Sequence, residues 1–290
     1  MIELRAGHAR ASIALRGAEA VAWHVGDLSV LWNADPAWWQ GTAPILFPLV
    51  GRCRSGSYRI GATMYPMGLH GFAAARDFRP VRTRSTEAVL ELVDDRATRA
   101  QYPFAFRLRA SYRLGTDSLR IGLSVANTGS DAMPYAIGLH PGFPWPLGGG
   151  ARSETVLRFS RPEARAVPSV TEQGLFAPRL RDVPFDGLRL VLGDALFGND
   201  ALCWFGLRSR SARYGGDQTA AIRISWEGFP HLAVWSKPGA PFICVEHWTA
   251  ASDPEDFTGG IFDKPGIAVL RPGEERRHAV RYMVEALRHA

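Results

Sequence analysis

Apolar and polar residues alternate along most of the chain, which is the pattern of half-buried β-strands. In the segment FAFRLRASYRL every second residue is apolar, and the positions between them hold mainly arginine. The tripeptide GTD then predicts a turn, after which the alternation resumes. The positions predicted to face inward are Phe104, Phe106, Leu108, Ala110, Tyr112, Leu114, Leu119, Ile121, Leu123 and Val125. These two segments therefore predict a hairpin with one buried face and one solvated, arginine-rich face.

The same reasoning predicts strands through much of the rest of the chain and little helix. Further strands are expected at MPYAIGLH, AVLELVDD, TVLRFS, LRLVLG, ALCWFGLRS, AIRISWEG, HLAVWS and PFICVEHW. Helix signals are confined to DPAWWQG and DPEDFTG, and LGGGAR and RPEARAVPSVTEQGLFAP are predicted to be loops. Strands and helices do not alternate, so a parallel doubly wound sheet is disfavoured. We predict an all-β fold: one antiparallel domain over residues 1–290, either a sandwich or a closed barrel.

Composition narrows the classes of protein that fit. The net charge is +6, but the arginines are dispersed rather than clustered, so no nucleic-acid partner is predicted. Three widely spaced cysteines, Cys53, Cys203 and Cys244, do not form a disulfide framework. Neither a signal-peptide core nor an apolar run of about 20 residues is present, which predicts a cytoplasmic protein without membrane contact. Composition leaves monomer and dimer equally open.

Three predicted strand ends place a polar residue among apolar or small neighbours. They are GLHGFA with His70, GLHPGFP with His140, and ICVEHW with Glu246. Glycine beside a histidine lets a ligand approach closely, although a structural role is the simpler explanation for either histidine alone. Glu246 follows the apolar run FICV, and carboxylates are seldom buried without a partner. Arg52 ends the apolar run PILFPLV, where a surface salt bridge is the alternative.

Two histidines and one carboxylate also match the ligand count of a metal-binding facial triad. The residues concerned, His70, His140 and Glu246, are far apart in sequence, and no short His-x-His motif occurs. A metal-dependent β-barrel enzyme that uses these three ligands therefore stays open as an alternative.

Four segments in order carry a more specific signal. PILFPLVGR, LHGFAAARDF, IGLHPGFPWP and HLAVWSKPGAPFICVEHWTAASDPEDFTG resemble the aldose 1-epimerase (galactose mutarotase) family, in particular its LacX-like and hexose-6-phosphate epimerase-like branch. The resemblance implies a large antiparallel β-sandwich of the galactose mutarotase-like supersandwich type. It also implies a small-molecule sugar as the partner, a hexose or hexose phosphate, with no cofactor and no metal. A non-catalytic carbohydrate-binding sandwich is the alternative within this resemblance.

The resemblance implies that His140 and Glu246 are the catalytic residues. Sugar anomers interconvert when the ring opens and closes again on the other face of the anomeric carbon. His140 would donate a proton to the ring oxygen, and Glu246 would remove the proton of the anomeric hydroxyl. Imidazole and carboxylic acid have ordinary pKa values of roughly 6.5 and 4.3, which suit proton transfer near neutral pH.

Four substrate-binding residues are predicted, three of which are implied by the same resemblance. Arg52 and His70 would bind sugar oxygens, and an aspartate between the second histidine and Glu246 would do the same. The segment LFGNDALCWFG offers Asp200 for this role, with Asp194 as the less favoured choice. Trp235, in AVWSKPG, is the tryptophan predicted to reach the sugar, because pyranose C–H faces pack on aromatic rings.

Two departures from the family pattern bear on the site. Relatives often read Glu-Pro-Trp where this chain has His247 after the glutamate, so His247 is expected to alter the loop or to add a titrating group near the base. Extra alanines in HGFAAARDF leave the place of Arg76 open. A phosphorylated sugar would need two or more cations at the far end of the cleft, with Arg52, Arg54 and Arg76 as the candidates.

Overall fold

The computed structural model describes residues 1–285, which form 25 strands, one short α-helix and five 3-10 turns. The strands are β1 (Ile2–Ala6), β2 (Ala9–Ile13), β3 (Ala20–Val25), β4 (Leu28–Ser29), β5 (Ile45–Leu46), β6 (Ser57–Ile60), β7 (Thr63–Pro66), β8 (Arg79–Thr83), β9 (Glu87–Val93), β10 (Phe106–Leu114), β11 (Ser118–Asn127), β12 (Met133–Tyr135), β13 (Gly138–Leu139), β14 (Gly142–Pro144), β15 (Val156–Phe159), β16 (Ala166–Val170), β17 (Phe176–Asp182), β18 (Arg189–Val191), β19 (Leu202–Trp204), β20 (Ser211–Gly215), β21 (Ala221–Glu227), β22 (His231–Trp235), β23 (Phe242–Trp248), β24 (Ala268–Leu270) and β25 (Glu275–Glu285). The helix is α1 (Arg96–Gln101), and the 3-10 turns are Arg54–Gly56, Ala73–Ala75, Arg152–Glu154, Asp194–Phe197 and Ile261–Asp263.

Two large antiparallel sheets face one another. The first has nine strands in the order β18-β15-β20-β21-β25-β11-β10-β9-β8, and the second has the order β19-β22-β23-β13-β5, with β14 also paired to β23. Aromatic side chains fill the space between the sheets: the ring of Phe143 on β14 lies 5.8 Å from Tyr214 on β20 and 5.7 Å from Tyr282 on β25. The predicted all-β sandwich with very little helix is confirmed.

The hairpin predicted from alternation is β10–β11. Leu108 pairs with Val125 and Ala110 with Leu123, and all four side chains are buried between the sheets. The arginines between them face solvent, where the guanidinium of Arg109 lies 2.8 Å from a carboxylate oxygen of Glu91. A buried apolar face and a solvated charged face are the reason this segment forms a strand.

Several predicted boundaries are wrong. MPYAIGLH is two strands rather than one, because β12 pairs with β24 whereas β13 pairs with β5 and β23. The predicted loop RPEARAVPSVTEQGLFAP contains β16 and the start of β17, which form a hairpin. DPAWWQG and DPEDFTG form turns without helix. The α-helix begins instead at a capping box in which Asp95 and Thr98 accept each other's backbone N–H groups. No helix within residues 1–285 is long and apolar enough to cross a membrane.

Candidate active site

The turns that carry Arg52 and His70 interlock. The His70 amide donates to the Gly51 carbonyl at 2.9 Å, and the Gly51 amide donates to Nδ1 of His70 at 3.0 Å. Gly51 has a φ of +73°, and a Cβ there would lie 2.3 Å from Oγ of Ser252, so only glycine fits. Because Nδ1 accepts a hydrogen bond, neutral His70 carries its proton on Nε2.

Strand β23, which carries Glu246, has side chains on two faces with different surroundings. Side chains on a strand alternate between its faces, so Cys244, Glu246 and Trp248 share one face and Val245 and His247 share the other. The first face carries the site, and the second packs into the space between the two large sheets.

A cavity of about 330 Å³ opens on the first face. All six residues predicted for the site line it, namely Arg52, His70, His140, Asp200, Trp235 and Glu246. They come from six different segments, and the pairing of β13 and β14 with β23 brings His140 beside Glu246.

His140 and Glu246 are in direct contact at the bottom of this cavity. Nε2 of His140 lies 3.3 Å from Oε2 of Glu246, with 11% and 2% of the two side chains exposed. The indole N–H of Trp248 donates to the same Oε2 at 3.1 Å. Trp248 therefore holds the carboxyl group facing the imidazole.

Burial disfavours charge on both members of this pair. It raises the pKa of Glu246 well above its usual value; the Trp248 hydrogen bond opposes this rise and the Asp200 charge adds to it. Burial, with a smaller contribution from His70, lowers the pKa of His140 to about 3. Because the two groups touch, they titrate together, and a proton held by the pair can lie on the carboxyl group or on the imidazole.

His70 adds a second neutral imidazole beside the pair. Its ring centroid lies 5.6 Å from that of His140, in an edge-to-face arrangement. Burial lowers the pKa of His70 to about 4, and the nearby positive charge of Arg52 contributes to this lowering. At neutral pH His70 is therefore an uncharged hydrogen-bonding group in the cavity wall.

Aromatic rings form one wall of the cavity. The ring centroids of Trp39 and Trp235 lie 4.9 Å and 6.0 Å from that of His140. Phe176, from the hairpin that the sequence analysis assigned to a loop, also lines the cavity. The sequence prediction selected only Trp235, because nothing in the pattern separates a tryptophan in the pocket wall from one in the core.

The structure distinguishes the two candidate aspartates. Asp200 lines the cavity. Asp194 accepts hydrogen bonds from the guanidinium of Arg152 at 2.7 Å and from the amide of Gly239 at 2.9 Å, and it is not part of the cavity lining. Asp200 is therefore the aspartate that can reach a bound ligand.

Arg76 and His247 both lie away from the cavity. The guanidinium of Arg76 stacks over the ring of Phe72 at 5.8 Å. His247 is fully buried between the sheets, with its ring 4.8 Å from that of Trp226, and burial lowers its pKa to about 3. The expectation that His247 adds a titrating group near the base is wrong, because strand alternation turns its ring away.

The group of side chains best placed to hold a metal ion differs from the predicted triad. Ligand atoms of His140, Cys244 and Glu246 lie within 4.8 Å of one another, and His70 is not among them. A thiolate is the form that binds metal, but burial raises the pKa of the Cys244 thiol, and the neighbouring Glu246 raises it further. The metal-free thiol is therefore protonated at neutral pH.

Comparison with known proteins places the whole arrangement in a family. A family model described as aldose 1-epimerase matches residues 1–283. The plasmid-encoded protein LacX of Lactococcus lactis subsp. lactis is 33% identical over 257 residues, which cover 84% of this chain and 86% of that protein.

Solved structures agree with this assignment. A galactose mutarotase-related enzyme from Lactobacillus acidophilus matches with a TM-score of 0.91 and 26% identity, over 98% of this chain and 97% of that one. A galactose mutarotase-like protein from Lactobacillus casei ATCC 334 matches with a TM-score of 0.92 and 26% identity, over 98% and 100% of the two chains. The fold is thus galactose mutarotase-like, and the chain belongs to the aldose 1-epimerase family.

Proposed function

We propose that this protein is a cofactor-independent aldose 1-epimerase that interconverts the α and β anomers of a hexose or hexose phosphate. The observation that carries the proposal is the 3.3 Å contact between the imidazole of His140 and the carboxyl group of Glu246 inside a buried cavity. Ring opening needs one proton donor and one proton acceptor beside the same carbon, and this pair supplies both.

The proposed chemistry starts with a single proton held by the pair. Sugar hydroxyl groups give the charged form of the pair new hydrogen-bond partners, so the bound state starts as imidazolium and carboxylate. Glu246 then takes the proton of the anomeric hydroxyl while His140 gives its proton to the ring oxygen, and the C1–O5 bond breaks. The open aldehyde rotates about C1–C2, and the reverse transfers close the ring on the other face. Ring opening leaves the pair uncharged, which is the form that burial favours.

Polar side chains around the cavity supply the contacts that orient a sugar. The guanidinium of Arg52 makes no hydrogen bond or ion pair with any residue from 1 to 285, so its donors are free for sugar oxygens. His70 presents an Nε2–H donor, and the carboxylate of Asp200 can accept from hydroxyl groups. Trp39 and Trp235 give the C–H face of the ring an apolar surface.

The charge of the cavity supports an unsubstituted hexose as the first substrate to test. Of the lysines and arginines in the described chain, Arg52 alone lines the cavity. The guanidinium of Arg54 donates to the Phe257 carbonyl at 3.3 Å, and Arg76 stacks on Phe72. A phosphoryl group would therefore meet one cation rather than the two or more that its charge favours.

The test is anomer exchange, measured by NMR on metal-stripped protein with glucose, galactose and their 6-phosphates. We expect exchange with at least one hexose, and a loss of about a hundred- to ten-thousand-fold in both His140→Ala and Glu246→Gln. Exposed positions provide matched controls, His8→Ala and Glu255→Gln, which should retain full activity.

Each alternative predicts a different result in the same experiment. Sugar binding without exchange would identify a carbohydrate-binding module. Activity that vanishes on chelation and returns with added Zn²⁺ would identify a metal enzyme. Full activity in either the His140 or the Glu246 variant would contradict the assigned acid and base.

A further inference from the structure

The outer face of the nine-stranded sheet carries rows of arginines that cross neighbouring strands. In one row Arg189, Arg158, Arg213 and Arg223 stand opposite one another on β18, β15, β20 and β21. Like charges directly opposite across strands repel. Glu285 compensates for this, because its carboxylate lies 2.8 Å from Arg213 and 2.6 Å from Arg223. A carboxylate of the protein therefore lies between two adjacent arginines of this row.

A second row has no carboxylate between its arginines. Arg113, Arg120 and Arg281 stand opposite one another on β10, β11 and β25. Arg113 has an acidic partner on its outer side, Glu87, at 2.8 Å. Within residues 1–285 the guanidiniums of Arg120 and Arg281 make neither an ion pair nor a hydrogen bond. Two adjacent positive charges thus stand uncompensated on an exposed surface.

A groove lies over this second row. It encloses about 900 Å³ and is lined by Arg113, Arg120, Arg281 and also Arg210, whose guanidinium is fixed by two backbone carbonyl oxygens. Among residues 1–285, Glu227 is the one acidic residue in this lining. A further cavity of about 210 Å³ shares Arg113 and Arg120 and extends the groove toward β9. Four arginines therefore line a concave surface that has Glu227 in its main part and Glu87, the partner of Arg113, in its extension.

We propose that this arginine groove, defined by Arg113, Arg120, Arg210 and Arg281, binds a small anion with two adjacent charged groups, such as a diphosphate. Guanidinium groups pair with phosphate oxygens through two parallel hydrogen bonds. Directly opposed residues on neighbouring strands are about 5 Å apart, so one diphosphate can contact both Arg120 and Arg281. The bound anion would supply the negative charge between Arg120 and Arg281 that Glu285 supplies between Arg213 and Arg223 in the first row.

The groove is separate from the sugar cavity. It lies on the face of the nine-stranded sheet that points away from the second large sheet, whereas the sugar cavity lies beyond that second sheet. The proposal therefore does not depend on the epimerase reaction, and either one can fail without the other.

The experiment is calorimetric titration of inorganic pyrophosphate into the full chain at low ionic strength. We expect one site per chain in the wild-type protein and at least a tenfold loss of affinity in the double variant Arg120→Ser/Arg281→Ser. The control is Arg158→Ser/Arg223→Ser, which removes the same charge from the first row and should keep the affinity. In phosphate-free buffer the Arg120/Arg281 variant should melt no lower than wild type, because it loses a repulsion.

Three results would overturn the proposal. They are the absence of pyrophosphate binding, an equal loss of affinity in both double variants, and competition by chloride that is as strong as by orthophosphate. Binding of duplex DNA without binding of pyrophosphate would also overturn it, because it would show attraction to a polyanion rather than a site for a small one.

Discussion

The buried ion pair between Asp253 and Lys264 allows a quantitative test of the interactions that position the Arg52 turn in the cavity wall. Their charged atoms are in contact, with only 5% and 3% of the two side chains exposed. Asp253 also accepts the Arg54 amide at 2.8 Å, donates its own amide to the Arg52 carbonyl at 2.9 Å, and accepts the Phe176 amide at 3.0 Å. Asp253 therefore ties the Arg52 turn to strand β17, and both contribute to the cavity.

Removing one charge of this pair leaves the other buried in the protein interior without a partner. Lys264→Met leaves a buried carboxylate and Asp253→Asn a buried ammonium group, and each should destabilise the fold by about 3–5 kcal/mol. The double variant buries no unpaired charge, and the side-chain amide introduced at position 253 keeps an oxygen that can accept the Arg54 amide, so this variant should lie within about 1–2 kcal/mol of wild type. For 290 residues, an unfolding entropy of about 2.1 cal/mol/K per residue makes the loss in each single variant roughly 5–8 °C in Tm.

Calorimetry on the four proteins of this double-mutant cycle measures the coupling. Arg271→Met is the matched control: it breaks the exposed pair with Glu274, in which the arginine side chain is 85% exposed, and should change stability by less than about 1 kcal/mol. The single variants should also raise KM for the sugar more than they lower kcat, because they loosen Arg52 and not the acid–base pair. Losses that simply add in the double variant would refute the reasoning.

Two further substitutions test one buried side chain, His247, and one glycine, Gly71, whose contacts are described by the structure. Neither ring nitrogen of the buried His247 has a hydrogen-bond partner within the part of the chain that the structure describes. His247→Leu should therefore stabilise the fold by about 1–2 kcal/mol in urea titration and leave anomer exchange unchanged, and a lower unfolding midpoint would contradict this. Gly71 has a φ of +78°, and a Cβ there would lie 2.3 Å from the Phe47 carbonyl oxygen. Gly71→Ala should therefore lower Tm and displace the adjacent His70. Gly68→Ala is the control and should melt like wild type, because a Cβ at position 68 meets nothing within 4 Å.

Strand alternation predicted the two large sheets because burial differs sharply between their faces. Strand β10 is the clearest case, with five buried positions separated by solvent-facing ones. The hairpin β16–β17 escaped prediction because most of β17 is exposed on both faces, so its sequence carries no alternation. Elements that lie over a sheet rather than within it lack this signal, and this hairpin contributes Phe176 to the cavity.

The sequence indicated which residues line the cavity, but local sequence patterns did not indicate how those residues come together. His140 and Glu246 lie 106 positions apart, and only the pairing of Gly138 with Trp248 and of Gly142 with Cys244 brings them together. No local pattern specifies which strands pair, so the resemblance to a family had to supply that information. His247 shows the opposite case: alternation along FICVEHW already places it on the face opposite Glu246.

The single proton that the proposed mechanism assigns to His140 and Glu246 has a consequence for stability that does not depend on which of the two groups carries it. Between about pH 4.5 and 6.5, the unfolded chain holds one proton on these two residues, on the histidine, and in the proposed mechanism the native pair also holds one. The pair therefore adds no pH dependence to stability in this window. His70 and His247 do add it: burial lowers their pKa to about 4 and about 3, so the unfolded chain binds protons first and stability falls as the pH drops below 6.5.

Glu246→Gln should remove this balance. Native His140 would then stay neutral beside an amide while the unfolded histidine still takes up a proton, so the loss of stability on acidification should steepen by about 1.4 kcal/mol per pH unit below pH 6.5. Urea titrations of wild type and variant between pH 5 and 6.5 measure the two slopes, and Glu255→Gln at an exposed position provides the control. Parallel slopes in wild type and Glu246→Gln would show that the native pair does not hold a single shared proton, and the proposed chemistry would lose its starting state.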